Sequence, residues 1–315
     1  MSVYPYKFQP VYKEKIWGGR NLQRLFGRAL PAGAGIGESW ELADMEEGET
    51  PVANGPDAGR TLQELLKEKG GAILGRAHPL AGGRFPLLLK LLDANDILSL
   101  QVHPDAQAAA RLGPPAVNKF ECWYVIESCG GYIYKGVKRG VTADQFRQAL
   151  AADDNERLKE LVERIDVKAG DVHFLPGGVV HAIGPGVVVA EVQTPSDTIY
   201  RVSDWGRGRP IHVEQAMRCI RFEPPPPSGR GEALDLRSPY FSIRRPTRPA
   251  GAAKLPSGAC TAWMMLTGRA RLLWPGESAG LPVAPGDTIL LPAALEGATL
   301  EVAQEMAYLE ITLPN

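Results

Sequence analysis

Cysteines are few in this sequence, and long apolar runs are absent. The four cysteines, at positions 122, 129, 219 and 260, form no C-x-x-C pair, and a chain of 315 residues does not need disulfides. We therefore predict reduced thiols in a cytoplasmic protein. No apolar run approaches the roughly 20 residues of a membrane helix. Residues 1–10 have no apolar core behind a basic start, so no signal peptide is expected.

The sequence also lacks an excess of charge of either sign. Its 35 lysines and arginines nearly balance 36 acidic residues, which leaves a formal net charge of −1. No global positive field would then attract nucleic acid or an anionic membrane, so neither is expected as a partner. Any recognition of an anionic ligand must be local.

Glycine and proline, in contrast, are abundant, with 35 and 27 residues. This content falls short of a disordered composition and favours many turns between short strands. Capping boxes at Thr61 and Thr142 predict helical stretches, and a third candidate helix covers 213–220. The remainder is expected to be strand-rich, with runs such as 85–92 and 187–192.

The chain repeats part of itself. Residues 167–171 resemble 283–287 at an offset of 116, and residues 123–136 resemble 263–276 at an offset of 140. The two offsets differ by about the length of the helical stretch that begins at Thr142. We interpret the repeat as two related β units, the first with a helical insertion. Chance similarity between strand-rich segments is the alternative.

The repeat and the composition together predict a two-part organisation. Residues 1–222 form a catalytic unit with N-terminal strands and a helical insertion near 142–164. Residues 236–315 form a second, degenerate β unit. Residues 223–235 between them are expected to be a linker, because four consecutive prolines favour extended, unpacked backbone.

Two predicted strands carry polar side chains on one face. Because side chains alternate between the faces of a strand, three residues of each strand point the same way. The two sets are Ser99, Gln101 and His103 in the first strand and Lys119, Glu121 and Trp123 in the second. A solvated face is the simpler explanation, but the mostly apolar run that leads into the first strand argues against it.

The segment from Gly170 to His181 follows the pattern Gly-x5-Pro-x-Gly-x2-His. It resembles the second signature motif of the cupin β-barrels, whose turn residues aim the histidine into the barrel mouth, where several strands hold a metal. The resemblance implies a mainly β fold of two cupin-like β-barrels, or jelly rolls, with a small helical insertion.

Four residues form a candidate metal-binding set: Gln101, His103, Glu121 and His181. Two imidazoles, a carboxylate and an amide oxygen without a thiolate suit Zn²⁺, Mn²⁺, Fe²⁺, Co²⁺ or Ni²⁺ and resemble an open catalytic site. A single histidine on a strand is more often structural. Four ligand-type residues in matching contexts nevertheless favour a metal.

Nearly the whole chain resembles one family, the type I mannose-6-phosphate isomerases in their short bacterial form. The matching segments are 17–19, 37–40, 85–88, 98–104, 119–121, 176–181 and 197–207. Gln-Val-His-Pro at 101–104 is the family's most specific mark. Gln101 stands where cupins at large have a histidine, a variation that this family shares. In the family, the zinc ligands match the four residues of the candidate set.

The resemblance implies an aldose–ketose isomerase that interconverts mannose 6-phosphate and fructose 6-phosphate, with one Zn²⁺ or another divalent ion per chain. A proton moves between C1 and C2 through an enediol(ate), which requires a base, charge stabilisation and a phosphate anchor. The resemblance makes Arg201 the cation near the reacting carbons, with Lys119 beside Glu121. Glu191 is the candidate carboxylate, and an ion pair with Arg201 is the competing explanation.

Substrate binding is predicted for further residues. Ser99 and Arg207, with help from Lys119, form the phosphate anchor, because arginine binds phosphate through paired hydrogen bonds. Trp17 could wall the sugar pocket or occupy an ordinary core position. Arg209 is interpreted as a surface residue, and the histidines at 78, 173 and 212 as structural.

Two other functions stay open at this point. A different metal cupin enzyme, such as a dioxygenase or a sugar epimerase, is disfavoured by the amide ligand Gln101. A non-catalytic cupin that senses a sugar phosphate is disfavoured by Lys119, Glu191 and Arg201, and no DNA-binding helix pair is evident.

The second unit is expected to have lost its metal site. At the repeat offsets, His181 corresponds to Gly297 and Glu121 to Thr261. A barrel without those two ligands should not bind a transition metal. We therefore predict a structural role for this unit.

Overall fold

The structure, a computed structural model, describes residues 3–314 and consists mainly of antiparallel β-sheets. The predicted mainly β fold class is confirmed. Two sheets are formed by the larger N-terminal part of the chain, and a third by the C-terminal part with one N-terminal strand. A separate hairpin pairs Asp44–Met45 with Gly48–Glu49.

The first and second sheets face each other. In spatial order, the first consists of Gly229–Arg230, Asp171–Leu175, Glu121–Ser128, Val187–Gln193, Leu88–Ala94, Val11–Gly19 and Ile36–Leu42. The second consists of Val162–Asp166, Tyr132–Val137, His181–Ile183, Leu100–Val102 and Tyr200–Ser203. Trp17, Trp123 and Val189 of the first sheet share a buried core with Ile133 of the second. This packing is compatible with the predicted cupin barrel.

Strand alternation separates polar from apolar residues as predicted. Leu100 and Val102 lie in a core covered by helices, whereas Gln101 between them lines a cavity on the opposite side. Trp123 lies in the core between the facing sheets, and its neighbour Cys122 lies in the core on the outer side. The pleat of each strand therefore directs its polar side chains to one place.

Helices cover the outer side of the second sheet. They are Ala106–Leu112, Ala143–Ala151, Asn155–Leu161 and Val213–Cys219, and the second and third of these form the predicted insertion. The capping boxes at Thr142 and Thr61 are both present, and Thr61 is the N-cap of the helix Leu62–Leu74. The other helical segments are Asn21–Phe26, Ala81–Gly83 and Gly231–Ala233. Between residues 3 and 314, no helix has the length and apolar character needed to cross a membrane.

The third sheet belongs to the predicted second unit and has its own core. Its strands are Tyr6–Lys7, Asp235–Arg237, Ser242–Arg244, Thr247–Arg248, Gly251–Lys254, Thr261–Trp274, Glu277–Val283, Thr288–Leu291 and Thr299–Thr312. The sequence repeat between residues 167–171 and 283–287 forms the same turn in both units. Asp171 accepts a hydrogen bond from the backbone N of Lys168 at 2.9 Å, and Asp287 accepts the equivalent bond from Ala284 at 2.9 Å.

The two units are joined more closely than the predicted linker implied. Gly229–Arg230 pairs with the first sheet and Asp235–Arg237 with the third, so the second half of the predicted linker is packed. The prediction of unpacked backbone is wrong there, because these residues complete two sheets. Tyr6–Lys7 also pairs with Thr288–Leu291, and one apolar core joins the first sheet to the third. The domain limits themselves stay a prediction.

Candidate active site

Buried ligand-type side chains meet between the first and second sheets. The ligand atoms of His103, Glu121 and His181 all lie within 4.8 Å of one another. Nε2 of His103 is 3.4 Å from Oε1 of Glu121, and Nε2 of His181 is 3.5 Å from Oε2. The side-chain amide of Gln101 lies 3.4 Å from Nε2 of His181. Three separate strands and the loop after one of them thus bring the four predicted ligands together.

Backbone carbonyls orient both imidazoles of this cluster. Nδ1 of His103 lies 2.8 Å from the carbonyl oxygen of Thr198, and Nδ1 of His181 lies 2.8 Å from that of Val179. Because a carbonyl oxygen only accepts, each Nδ1 carries the proton and each Nε2 keeps a free lone pair. Both Nε2 atoms adjoin Glu121. Metal-binding histidines are oriented in this way.

The cluster contains polar atoms that no side chain satisfies. Nε2 of His103 and Oε2 of Glu121 are buried and have no hydrogen-bond partner within residues 3–314. Burial, with a contribution from the charge of Lys119, lowers the pKa of His103 to about 3. Burial also lowers the pKa of His181, so both rings are neutral at neutral pH. Neutral imidazoles beside a carboxylate are a donor set that fits a divalent cation.

Lys119 contacts this cluster from one side. Its Nζ lies 2.8 Å from Oε1 of Glu121, and both side chains are almost fully buried. Burial acts to raise the pKa of Glu121, but Lys119 and the neighbouring His103 outweigh it and hold the pKa well below its ordinary value. The carboxylate is therefore ionised at neutral pH.

The cluster adjoins a small polar cavity of about 240 Å³. The predicted site residues that line it are Trp17, Ser99, Gln101, Lys119, Glu121, Glu191 and Arg201. Trp17 lines this cavity and also belongs to the core between the sheets. Pockets for drug-sized ligands measure ~300–1,000 Å³. The cavity therefore suits a smaller polar molecule.

Glu191 is held in the cavity wall by groups on the two adjacent strands. Nε1 of Trp123 donates to its Oε2 at 2.7 Å, and Nζ of Lys90 lies 3.4 Å from its Oε1. Burial raises the pKa of Glu191 and the charge of Glu121 adds to the rise, while Lys90 opposes it. Of the residues that the structure describes, it is Lys90 rather than Arg201 that pairs with this carboxylate.

Lys90 and Glu38 continue this charge network and were missed by the sequence reasoning. Nζ of Lys90 lies 3.7 Å from Oε2 of Glu38, and Nζ of Lys15 lies 2.8 Å from Oε1. Burial acts to raise the pKa of Glu38, but Lys90 and Lys15 lower it to about 2. One signal was available: Lys90 is a lone charge in the apolar run 85–92, and charged side chains are rarely buried without a partner.

Arg201 reaches the cavity with part of its guanidinium free. Its Nη1 donates to the carbonyl of Pro210 at 2.7 Å. Its Nε is buried and has no hydrogen-bond partner in the described part of the chain. Its backbone N–H is held by Nδ1 of His212 at 3.0 Å, which agrees with the structural role predicted for that histidine. A donor is therefore available beside the cluster.

The two arginines near the predicted phosphate anchor differ in whether they line the cavity. Arg207 does not line the cavity: its Nη1 donates to the carbonyl of Ile97 at 2.7 Å and its Nε to that of Asp204 at 3.0 Å. Arg209, interpreted from sequence as a surface residue, lines the cavity, with its Nε 3.0 Å from Oδ1 of Asp204. Ser99 lines the same cavity and is 5% exposed.

A solved isomerase shares this fold. The crystal structure of the mannose 6-phosphate isomerase from Bacillus subtilis matches with a TM-score of 0.84 and 29% identity, over 98% of this chain and 99% of that chain. A zinc-bound mannose 6-phosphate isomerase matches in fold with a TM-score of 0.77 and 18% identity, over 97% and 98% of the two chains. By this similarity the chain belongs with the sugar-phosphate isomerases.

Sequence relatives narrow this class to one family. The family model described as "Phosphomannose isomerase type I, catalytic domain" matches residues 6–121. Mannose-6-phosphate isomerase of Streptococcus mutans is 33% identical over 93% of each chain. Mannose-6-phosphate isomerase ManA of Bacillus subtilis is 33% identical, over 96% of this chain and 97% of its own. The chain belongs to the type I mannose-6-phosphate isomerase family, which confirms the resemblance seen in the sequence.

Proposed function

We propose that this chain interconverts mannose 6-phosphate and fructose 6-phosphate with one bound divalent ion, most simply Zn²⁺. The observation that carries the proposal is the convergence of unpartnered, buried Nε2 of His103 and Oε2 of Glu121 next to the cavity, which Glu121 lines. Leaving such atoms buried without partners is costly, and a cation satisfies them. Relatives over nearly the whole chain carry the name of this reaction.

Gln101, His103, Glu121 and His181 would hold the ion. The amide nitrogen of Gln101 lies toward Nε2 of His181 in this structure, and a rotation of the amide by 180° would bring its oxygen inward to an ion. With the oxygen inward, the set becomes two nitrogens and two oxygens without a thiolate, which suits Zn²⁺ and similar ions. When bound, such an ion supplies Lewis-acid stabilisation of charge on the sugar oxygens.

Glu191 is proposed as the group that moves the proton between C1 and C2. Glu121 is committed to the two imidazoles and Lys119. Glu38 is held ionised by two lysines, which makes it a poor proton carrier. Glu191 is a buried cavity carboxylate with a raised pKa, so it can both accept and return a proton.

Arg201 and Lys119 are proposed to stabilise the negative charge of the enediolate. Both side chains line the cavity, and the free Nε of Arg201 can donate to a sugar oxygen without breaking an existing hydrogen bond. A fixed donor in a water-poor site stabilises developing charge more than solvent does. These residues also favour a catalyst over a passive sugar-phosphate sensor.

The phosphate anchor is proposed to be Ser99 with Arg209, and Arg207 supports the loop. Arg209→Ala should raise KM for mannose 6-phosphate about 10-fold or more, because a charged hydrogen bond to phosphate is lost from binding. Arg207→Ala is the matched control and should raise KM less, since both guanidinium groups bond to Asp204 but Arg207 does not line the cavity. Steady-state kinetics of both variants show which arginine anchors the phosphate. A larger KM effect at Arg207 would return the anchor to the position predicted from sequence.

The activity itself is tested by a coupled assay with mannose 6-phosphate. Removing metal with a chelator should abolish turnover, and adding back Zn²⁺ should restore it. Mannose without the phosphate should have a kcat/KM at least about 100-fold lower, because it lacks the anchor. Full turnover in a sample free of metal by elemental analysis would refute metal dependence, and turnover of mannose as fast as its phosphate would refute the anchor.

A further inference from the structure

A short segment connects the elements of the proposed active site without contributing a catalytic group. Residues 194–198, Thr-Pro-Ser-Asp-Thr, join the strand Val187–Gln193, which carries Glu191, to the strand that carries Arg201. Three hydroxyl residues recur at every second position of this segment. We call it the hydroxyl ladder, residues Thr194, Ser196 and Thr198.

The hydroxyl of Thr194 holds the backbone on both sides of Lys119. It accepts a hydrogen bond from the N–H of Phe120 at 3.1 Å and lies 3.3 Å from the carbonyl oxygen of Asn118, to which it donates. The backbone N–H of Thr194 donates to the carbonyl of Phe120 at 3.1 Å. Thr194 is 8% exposed, so water does not readily replace these bonds. The segment leading to Glu121 is thereby held in place.

The hydroxyls of Ser196 and Thr198 bond to the same backbone segment, at Val117. Ser196 donates to the carbonyl of Val117 at 3.2 Å, and the hydroxyl of Thr198 accepts from the N–H of Val117 at 3.0 Å. The side chain of Gln193 closes the turn from within, through the carbonyls of Thr194 at 2.9 Å and Ser196 at 3.0 Å. The ladder therefore follows residues 117–120 along their whole length.

The same segment also orients a proposed metal ligand. The carbonyl oxygen of Thr198 receives Nδ1 of His103 at 2.8 Å. A displacement of the ladder would thus move His103, and through residues 117–120 it would also move Lys119 and Glu121. Hydrogen-bond partners of ligating histidines and carboxylates typically contribute 10–100-fold in metal affinity or activity.

We propose that Thr194 is a positioning residue of the active site, with Ser196 and Thr198 in the same role. Through this ladder, hydroxyl-to-backbone bonds help to position Lys119 and His103 relative to Glu121, which the sheet itself holds, because residues 117–120 precede the strand Glu121–Ser128. The inference rests on the proposed metal-dependent function and adds residues that touch neither ion nor substrate.

Thr194→Val keeps the shape of the side chain and removes only its hydroxyl. In the Co²⁺-loaded protein, we expect about 10-fold weaker Co²⁺ binding, an altered Co²⁺ absorption spectrum and a kcat about 10-fold lower at nearly constant KM. Thr194→Ser restores the hydroxyl and should behave like the wild type. Ser196→Ala should change the same quantities in the same direction by a smaller factor, and it carries the test if Thr194→Val does not fold.

Thr50→Val provides a matched control. The buried hydroxyl of Thr50 also accepts one backbone N–H, from Ala43 at 2.9 Å, and lies 3.3 Å from the carbonyl of that residue. The Thr50→Val variant should lower Tm about as much as Thr194→Val and should leave the Co²⁺ spectrum and kcat unchanged. If the variants at 194 and 196 leave the spectrum, Co²⁺ affinity and kcat at wild-type values, the inference is wrong. A wild type that binds no Co²⁺ would instead refute the metal site itself.

Discussion

His181→Ala is expected to leave the protein without bound metal and to lower kcat by about 10³-fold or more. The imidazole is fixed by the carbonyl of Val179, and its Nε2 lies 3.5 Å from Oε2 of Glu121, where it would bind the ion. Elemental analysis and steady-state kinetics on the same sample measure both effects. His103→Ala should have the same result, because its Nε2 completes the set.

His173→Ala is the matched control for this prediction. His173 is 1% exposed in the same pair of sheets but bonds to Ser228 rather than to the cluster. The His173→Ala variant should lower the stability of the protein but should still bind the metal. A His181→Ala sample with full metal content would contradict the site.

The wild type should contain about one ion per chain. The second unit has no His or Glu at the repeat positions of His181 and Glu121, where Gly297 and Thr261 stand. Consistently, the candidate metal cluster found among residues 3–314 lies in the first unit. Two tightly bound ions per chain would overturn the proposed metal-free second unit.

Glu191→Gln is expected to lower kcat by about 10²–10⁴-fold with little change in KM. The amide keeps the size of the side chain and can still accept from Trp123, but it does not take up a proton. Glu38→Gln, in the same cavity and also next to Lys90, is the matched control and should have a much smaller effect on kcat. Equal losses in both variants would mean that charge balance around Lys90, rather than proton transfer, limits the rate.

Turnover in D₂O adds a direct readout of proton transfer. The wild type should incorporate deuterium at C2 of mannose 6-phosphate or at C1 of fructose 6-phosphate, because a carboxylic acid that has taken up the substrate proton exchanges with solvent. The Glu191→Gln variant should incorporate label only at its reduced rate. Complete absence of label in the wild type would favour a hydride shift or a fully shielded base.

Local rules were sufficient where a residue's role depends on its own strand or turn. Alternation predicted that Gln101 would point away from Leu100 and Val102, and the pleat produces this geometry in any sheet. The capping box at Thr142 predicted where the insertion begins, since its hydrogen bonds are made within four residues. The resemblance of the pattern ending in His181 to the cupin motif implied that this histidine points toward the other ligand-type residues.

Tertiary structure decided which charges meet. Lys90, Glu38 and Glu191 lie on three strands that become neighbours only when the first sheet forms, so no spacing in the sequence reveals their contacts. Arg207 and Arg209 are two residues apart in a loop and both bond to Asp204, but of the two only Arg209 lines the cavity. The chain alone determined its family, its strand-rich fold class and its candidate ligands, because these follow from short-range patterns. The cavity wall was decided by the folded arrangement, because its charges come from segments far apart in the sequence.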